Sequence, residues 1–470
     1  MDRVFFSRNR KRNNGVGAER KRGNGRRAAQ KRARKGPDLI SGLPDDVLGA
    51  IVTLLDTAEG ARTAALSRRW RYVWRSAPLN LDDRFEEPAI YFSDERVQVI
   101  SRILASHPAP ARRLAVRSVD LGSYSSAFDG WFRLPVLDSL QELFLDFTRT
   151  HSLSELPASA LRFASLRVLD VDDCSFPAAC TPPAFPCLTR LSLRHVGVTE
   201  ELLHGIISGS PRIEALVLDT NSGYRRLRLS LPKLRYLAVS NRSFRKRIEL
   251  KDLVLEDAAS LERLLLHEVG YGPSVRITGA AKLRMLGYLG NGFPSLQLGN
   301  TIFKSTVPVS FVEQFTTVKI LALEMAEWLK LKVVISYLRC FPCLEKLKIK
   351  FSQSGWNTYL EGAVPSDPYA PIECLDRSLK TIMLQSYSGQ KPHAEFAKFF
   401  VESARVLEVM KFYTTEEVTR KWLEEQCRRL NIENRASRCV RFPFMLEREL
   451  PLRFWMDDGF SSDDPFEDSM

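Results

Sequence analysis

Chemistry in this chain would first be sought at CFPC, Cys340 to Cys343, which has the CxxC spacing of zinc and redox sites. Two thiolates so placed can share a metal or close on each other. A structural zinc site needs a second ligand pair, and the sequence offers none at matching spacing. The surrounding words explain the cysteines better. AFPCLTRLSL (Ala184 to Leu193) and CFPCLEKLKI (Cys340 to Ile349) are the same phrase, so Cys343 matches Cys187, which has no CxxC partner. Both are expected as small apolar residues packed just before a strand. The eight cysteines (Cys174, Cys180, Cys187, Cys340, Cys343, Cys374, Cys427 and Cys439) are scattered, and buried free thiols are the default.

Other catalytic signatures fail on spacing. There is no GxxxxGK[ST] loop and no HExxH. The glycines of GYLGNG (Gly287 to Gly292) do not open a helix after a strand, so they make no dinucleotide site. The six histidines are dispersed, and one such as His195 or His267 beside a strand is read as structural. No local motif supports a Cys/His nucleophile. The expectation is a non-enzyme with no catalytic, cofactor-binding or metal residue and no cofactor.

Recognition chemistry is better represented. ALSRRWRYVW, Ala65 to Trp74, mixes arginine with aromatic rings, as a base-stacking surface would. On a helix capped by Ser67, however, Trp70, Val73 and Trp74 share one face at i, i+3 and i+4, while Arg68, Arg69, Arg71 and Arg75 fall largely off it. Segregation favours docking onto a protein. Upstream, SGLPDDVLGAIVTLL places Pro44 at a helix start and Asp45 and Asp46 in the first turn, where the helix dipole favours anions. Val47, Leu48, Ile51, Leu54 and Leu55 form its apolar stripe. Ala61 to Leu66 is expected as a second helical piece. A unit of roughly 40 residues holds a marginal core, so some of this apolar surface awaits a partner.

The remaining body repeats L-x-x-L-x-L: LQELFL at Leu140, LRVLDV at Leu166, LTRLSL at Leu188, IEALVL at Ile213 and LRYLAV at Leu234. LERLLL at Leu261, LRMLGY at Leu283, VKILAL at Val318, LEKLKI at Leu344 and LKTIML at Leu379 continue it. Most intervals fall within the roughly 20–29 residues of leucine-rich repeats. Each repeat's apolar edge can be covered only by its neighbours. The third and fifth residues, and the one after the sixth, lie on the opposite strand face. That face carries Glu142, Asp146, Asp170, Asp172 and Asp219 early and Lys346, Lys348 and Lys350 late. An acidic end and a basic end, selecting a target by charge, is one reading; ordinary solvated charge is the other. Further on, HAEFAKFFVESA (His393 to Ala404) reads as a helix, and Thr414 and Glu417 have capping-box spacing before another.

Charge is unevenly distributed. Residues 1–36 hold 14 of the 69 Lys/Arg and two of the 56 Asp/Glu, which leaves the rest with 55 basic and 54 acidic residues. A nucleic-acid-binding fold usually carries its own basic face, so nucleic acid is not the favoured partner. The tail has too few apolar residues to fold and is expected to be disordered. Arg20, Lys21, Arg22 and Lys31, Arg32, Arg34, Lys35 are candidate nuclear-import clusters. No apolar run approaches bilayer length and no secretory leader is evident, so no membrane partner is expected, and nucleus and/or cytoplasm is the expected location.

DLISGLPDDVLGAIVTLL followed by ARTAALSRRWRYVWRSAPLNLD (residues 38–81) resembles the plant F-box pattern, departing from it at Asp56 to Gly60. The repeats are similar to those of plant F-box/leucine-rich-repeat proteins, and Ile372 to Phe412 resembles the FBD region that ends many of them. The resemblance implies an α/β chain: a three-helix F-box, a leucine-rich-repeat solenoid of short parallel strands, and an FBD α/β cap. Expected boundaries are a basic tail at 1–36, the F-box at 38–81, repeats at 93–360, the FBD-like region at 365–445 and an acidic tail at 456–470. It also implies a substrate adaptor. The F-box would bind a Skp-family subunit, and through it a cullin, while the repeats hold an unidentified target protein for ubiquitination. Carried over by position, the Skp-facing residues are Leu43, Pro44, Val47, Leu48, Ile51, Leu66, Trp70, Val73 and Trp74, each open to being internal core instead. Two other readings stand beside it: a nuclear nucleic-acid-binding protein acting through its basic tail, and a repeat scaffold unconnected with ubiquitin.

Overall fold

The computed structural model describes residues 39–40, 42–55, 57–83, 93–147, 153–178, 180–241, 250–268, 273–289, 295–304, 307–308, 314–326, 331–352, 371–414 and 416–447. The import clusters and the acidic tail lie outside them, as does Asp56. The chain divides into two compact units, residues 1–48 and 49–470. The boundary falls within helix α1 (Asp45–Val52), which starts after Pro44 with both aspartates in its first turn. In the first unit Leu48 is buried, Leu43 is half-buried, and Leu39, Ile40, Pro44 and Val47 are exposed.

The second unit begins with the end of α1, then α2 (Thr57–Thr63) and α3 (Arg68–Ser76). Ser67 caps α3 as expected, its side chain accepting from the Trp70 amide at 3.3 Å. Trp70 and Val73 turn inward and the four arginines outward. The second helix begins four residues earlier than the apolar spacing suggested, because Thr57 anchors its start: its hydroxyl donates to the Asn80 carbonyl at 2.6 Å.

One sheet then runs through nearly all that follows. Its strands are β1 (Leu79–Asp82), β2 (Ala111–Val119), β3 (Glu142–Phe147), β4 (Val168–Asp172), β5 (Arg190–Arg194), β6 (Ala215–Asp219), β8 (Tyr236–Asn241), β10 (Arg263–Glu268), β12 (Met285–Leu289), β16 (Ile320–Ala326), β17 (Lys346–Ser352), β18 (Thr381–Gln385), β19 (Val409–Thr414) and β20 (Phe444–Leu446). They are neighbours in that order, all parallel. Every L-x-x-L-x-L segment supplies one strand. A second sheet, absent from the sequence reading, lies between the repeats in the order β15 (Val307–Pro308), β14 (Thr301–Lys304), β13 (Ser295–Leu298), β11 (Ser274–Ile277), β9 (Asp252–Glu256) and β7 (Arg226–Ser230). Helices α4 (Ser93–Ser106), α5 (Leu121–Phe132), α6 (Glu200–Ser208), α7 (Leu331–Cys340), α8 (Glu373–Arg377) and α9 (Lys391–Ser403) lie in further crossovers, a 3-10 turn (Ala158–Leu161) lies between β3 and β4, and α10 (Arg420–Arg429) precedes β20.

The repeat leucines fill one continuous core between the long sheet and these layers, joining Leu169, Leu191 and Leu237 to helix residues such as Phe128 and Leu203 and to Leu253 of the second sheet. Each such side chain contributes about 1.5–3 kcal/mol through burial. A parallel strand must be followed by a crossover, so each repeat is strand plus return. The return costs a sharp bend: Asp173, His195, Thr220 and Ser386, each just past its strand, have φ between 52 and 62° or, at His195, 50°. Asn221 locks one such bend, accepting from the Val196 amide at 2.8 Å and donating to the Leu193 carbonyl at 2.9 Å. The capping box expected at Thr414 and Glu417 does not form. Thr414 closes β19 and accepts from the Glu416 amide, and Thr419 caps α10 instead.

Candidate functional site

The first candidate surface is on the N-terminal helices. Of the nine residues expected to face a Skp-family subunit, Leu48, Trp70 and Val73 are buried, Leu43 and Trp74 are half-buried, and Pro44, Val47, Ile51 and Leu66 are exposed. Burial makes the first three packing residues. Leu54 at 85% and Tyr72 at 67% exposure are large apolar side chains left in water that the positional carry-over omitted. Leu54 lies past the end of α1, where apolar spacing alone does not tell inside from outside.

The same helices are tied to the start of the sheet. Asn80 on β1 donates through its amide to the Thr53 carbonyl, and the Asp82 amide donates to the Thr57 hydroxyl at 3.1 Å. The Trp74 indole meets His107, just beyond α4, edge-on at 5.3 Å between ring centroids. Gly60 makes room for that indole, since a Cβ there would sit 2.4 Å from its ring.

The second candidate surface is the sheet face that carries no helix among the described residues. Its early end is not acidic, as the repeat reading allowed, but a ladder of alternating charges. Arg117 reaches Asp82 at 2.5 Å, and Arg113 reaches Glu142 at 2.8 Å and Asp82 at 3.3 Å. The Arg113 guanidinium also lies 4.2 Å over the Phe144 ring. Arg194 joins Asp170 at 2.6 Å and Asp172 at 3.5 Å, all three buried. Register explains it: parallel in-step pairing sets Asp170 beside Ser192 and Asp172 beside Arg194 and Asp146, with Asp219 on the far side of Arg194. The sequence pattern counted carboxylates and missed the arginines at equivalent places. Asp172, Asp173 and His195 are close enough to hold a cation among the described residues, with His195 Nδ1 2.9 Å from Asp172. The Arg194 guanidinium already stands at that carboxylate, which makes the group part of the ladder.

The late end is basic. Lys346, Lys348 and Lys350 align on β17 as expected, and Lys411 follows two strands on. Lys348 is only 2% exposed, so it is no solvated charge; its ammonium lies 5.7 Å over the Tyr288 ring. Lys350 reaches Glu324 at 3.6 Å, and His267 Nε2 stands 3.3 Å from the same carboxylate. Tyr288 is placed by a bulge: Leu286 pairs with Leu321 and Leu289 with Leu323, so Gly287 and Tyr288 together oppose Ala322. The tyrosine takes φ 53°, an uncommon left-handed conformation for a bulky residue.

Cys174, Cys340 and Cys374 are buried packing residues, whereas Cys427 and Cys439, expected to be buried like the rest, are exposed. Cys340 is buried, its Sγ 3.3 Å from the Ser336 carbonyl, and burial pushes the thiol up to about 12. Cys187 and Cys343 are both half-buried, as equivalent repeat positions should be.

Comparison with known proteins bears on all of this. The F-box family model matches residues 40–82, the leucine-rich-repeat model described as "FBD-associated F-box protein At5g56370, LRR repeats" matches 128–349, and the FBD model matches 368–412. In chain order, then, it carries an F-box match, a leucine-rich-repeat match and an FBD match, and the relatives it is similar to are F-box/FBD/LRR-repeat proteins. It is 23% identical over 406 residues to F-box/FBD/LRR-repeat protein At1g13570 of Arabidopsis thaliana, covering 80% of this chain and 91% of that protein. It is 25% identical over 452 residues to FBD-associated F-box protein At5g56370 of the same plant, covering 87% and 96%. A shorter match, 32% over 191 residues, relates it to putative F-box/LRR-repeat protein At5g02700, 39% of each chain. The exposed apolar side chains Val47, Ile51, Leu54, Leu66 and Tyr72 thus all lie within the F-box match, and the charge ladder from Glu142 through Asp219 and the Tyr288 bulge within the repeat match. F-box domains generally bind Skp-family proteins, and F-box/leucine-rich-repeat proteins are generally non-catalytic adaptors.

Proposed function

We propose that this protein is the substrate-recognition subunit of an SCF-type ubiquitin ligase. The F-box binds a Skp-family subunit and, through it, a cullin; the helix-free sheet face binds the protein to be ubiquitinated. The observation that carries the reading is the set of large apolar side chains left in water within the F-box match, Ile51, Leu54, Leu66 and Tyr72 in the second unit and Val47 in the first. Exposed apolar residues of this size mark a partner surface. The anchoring of α2 to β1 through Thr57, and of α3 to His107 through Trp74, fits the role, because an adaptor must hold its target at a fixed position relative to the ligase. The basic clusters at Arg20–Arg22 and Lys31–Lys35 support operation in the nucleus as well as the cytoplasm. Co-purification of the full chain with a recombinant Skp-family subunit tests the reading, and a well-folded chain that captures none refutes it.

A further inference from the structure

The second sheet buries its leucines, such as Leu227, Leu253 and Leu298, in the main core, and the residues that alternate with them point the other way. On that outer face Arg226 stands beside Asp252 and Ser274, and the next row reads Arg228, Val254, Arg276 and Gln297. The two rows line a hollow of about 270 Å³. Arg228 and Arg276 are exposed, and among the described residues neither has a carboxylate partner. The long sheet treats its arginines differently: Arg113, Arg117 and Arg194 each contact a carboxylate. In the hollow, Val254 takes the place between the two cations. The acids of the same strand, Asp252 and Glu256, lie one row to either side, and Asp252 is already 4.0 Å from Arg226. The backbone here is pinned although β7 is the edge strand. Glu200 on α6 accepts from the Arg225 and Arg226 amides at 3.0 and 3.1 Å, and His204 Nε2 accepts from the Arg228 amide at 3.2 Å.

We propose that this hollow binds a phosphorylated serine or threonine side chain of a protein segment, its phosphate held over Val254 between Arg228 and Arg276. The two arginines stand two strand spacings apart, roughly 9.6 Å at the backbone. Their side chains can therefore reach inward over β9 onto one anion. A phosphate dianion accepts two guanidinium forks, whereas a single carboxylate is satisfied by one. The ligand completes what the sequence leaves open, a negative charge between two positive ones. The pinned Arg228 backbone lowers the ordering cost of binding. The extent of the hollow selects a protein segment over a small phosphate ester. It runs from β7 to β13, three strand spacings or about 14 Å. Beyond the arginines it presents the Ser274 and Ser295 hydroxyls and the Gln297 side-chain amide, all half-buried. Polar groups so placed can hydrogen-bond the backbone that flanks the phosphorylated residue. This site lies apart from the long sheet's helix-free face, and the proposal does not rest on the adaptor reading.

The test uses the full chain and two fluorescent mixtures of degenerate peptides, one with a fixed central phosphoserine and the other with serine there, followed by anisotropy in about 0.15 M salt. The native chain should bind the phosphorylated mixture roughly tenfold or more tightly than the serine mixture. Arg228→Ala and Arg276→Ala should each remove that preference, whereas Lys233→Ala, at an exposed cation outside the hollow, should keep it. Every chain carries the same basic N-terminal residues, so their attraction for phosphate cancels in the comparison. Both arginines are exposed, and their replacement should leave the circular dichroism spectrum unchanged. Val254→Glu sets a carboxylate between them and should abolish the preference with both arginines in place. No preference in the native chain, a preference retained by both arginine variants, or equal affinity for a mixture with glutamate in place of phosphoserine would each overturn the proposal. Displacement of the peptides by equimolar glycerol 3-phosphate would also overturn it, by making a small ester the ligand. No Skp subunit takes part, so failure here leaves the adaptor reading standing, and failure to capture Skp leaves this test intact.

Discussion

The indole of Trp74 stands edge-on to the imidazole of His107, 5.3 Å between centroids and 80° between planes, joining the last F-box helix to the residue that follows α4. An edge-on ring pair of this kind adds about 0.5–1.5 kcal/mol beyond the area it buries. Gly60 abuts the same indole, with no room for a methyl group. Gly60→Ala should therefore push the indole off His107. The expected cost is about 1–3 kcal/mol in chemical denaturation, although alanine is the better helix former. A more stable Gly60→Ala chain would show that the indole has space to move.

The charge ladder makes a second prediction. Removing Arg194 leaves two buried carboxylates, Asp170 and Asp172, short of a cation they share. Arg194→Ala should cost about 3 kcal/mol. Arg235→Ala at the exposed pair with Glu262 should cost about 1 kcal/mol or less. Equal losses at the two sites would mean that burial does not govern the ladder.

Much of this architecture was legible from the repeat phrase. Each L-x-x-L-x-L segment became a strand because its leucines need a continuous covered edge, and that demand is written locally. What lies between repeats was not. The strands RLRLS and DLVLE of the second sheet alternate apolar and polar residues over too few positions to stand out, and they are fixed by pairing with one another. Apolar spacing in the F-box did not tell inside from outside. Leu48 and Val47 are adjacent in the stripe, yet one is core and the other exposed. Likewise Arg194 was invisible as a partner of Asp170 because the strand register that joins them spans 24 residues. Tyr288 was hidden by a bulge that displaces the repeat pattern by one residue.

Acid should loosen the molecule through particular carboxylates. Arg235 beside Glu262 holds its carboxyl below the usual range, and the Arg225 and Arg226 amides do the same for Glu200. A carboxylate with a depressed folded-state pKa adds stability that is present above its unfolded value and is lost as pH falls through the folded one. Stability against denaturant should fall as pH drops below about 4, and Glu262→Gln should show a shallower fall. An identical pH profile for Glu262→Gln would remove this pair from the cause.

Cysteine chemistry should be quiet. Burial pushes the thiols of Cys340 and Cys374 up to about 12, so neither supplies thiolate near neutral pH. Alkylation of the folded chain should label Cys427 and Cys439, which are exposed, well before Cys340 or Cys374. Early labelling of Cys340 would reopen a reactive role for the CFPC phrase.

The central claim is adaptor function through the exposed F-box side chains, and it is tested most directly by the affinity of the full chain for a purified Skp-family subunit, measured by biolayer interferometry. Leu66→Asp and Ile51→Asp change exposed residues and should leave the circular dichroism spectrum intact. Each is expected to weaken binding by more than about tenfold, an interface loss above about 1.4 kcal/mol. Arg235→Ala, in the repeats, should bind as the native chain does. Tight native binding that both aspartate variants retain would contradict the account, because the Skp contact would then lie elsewhere than on these helices.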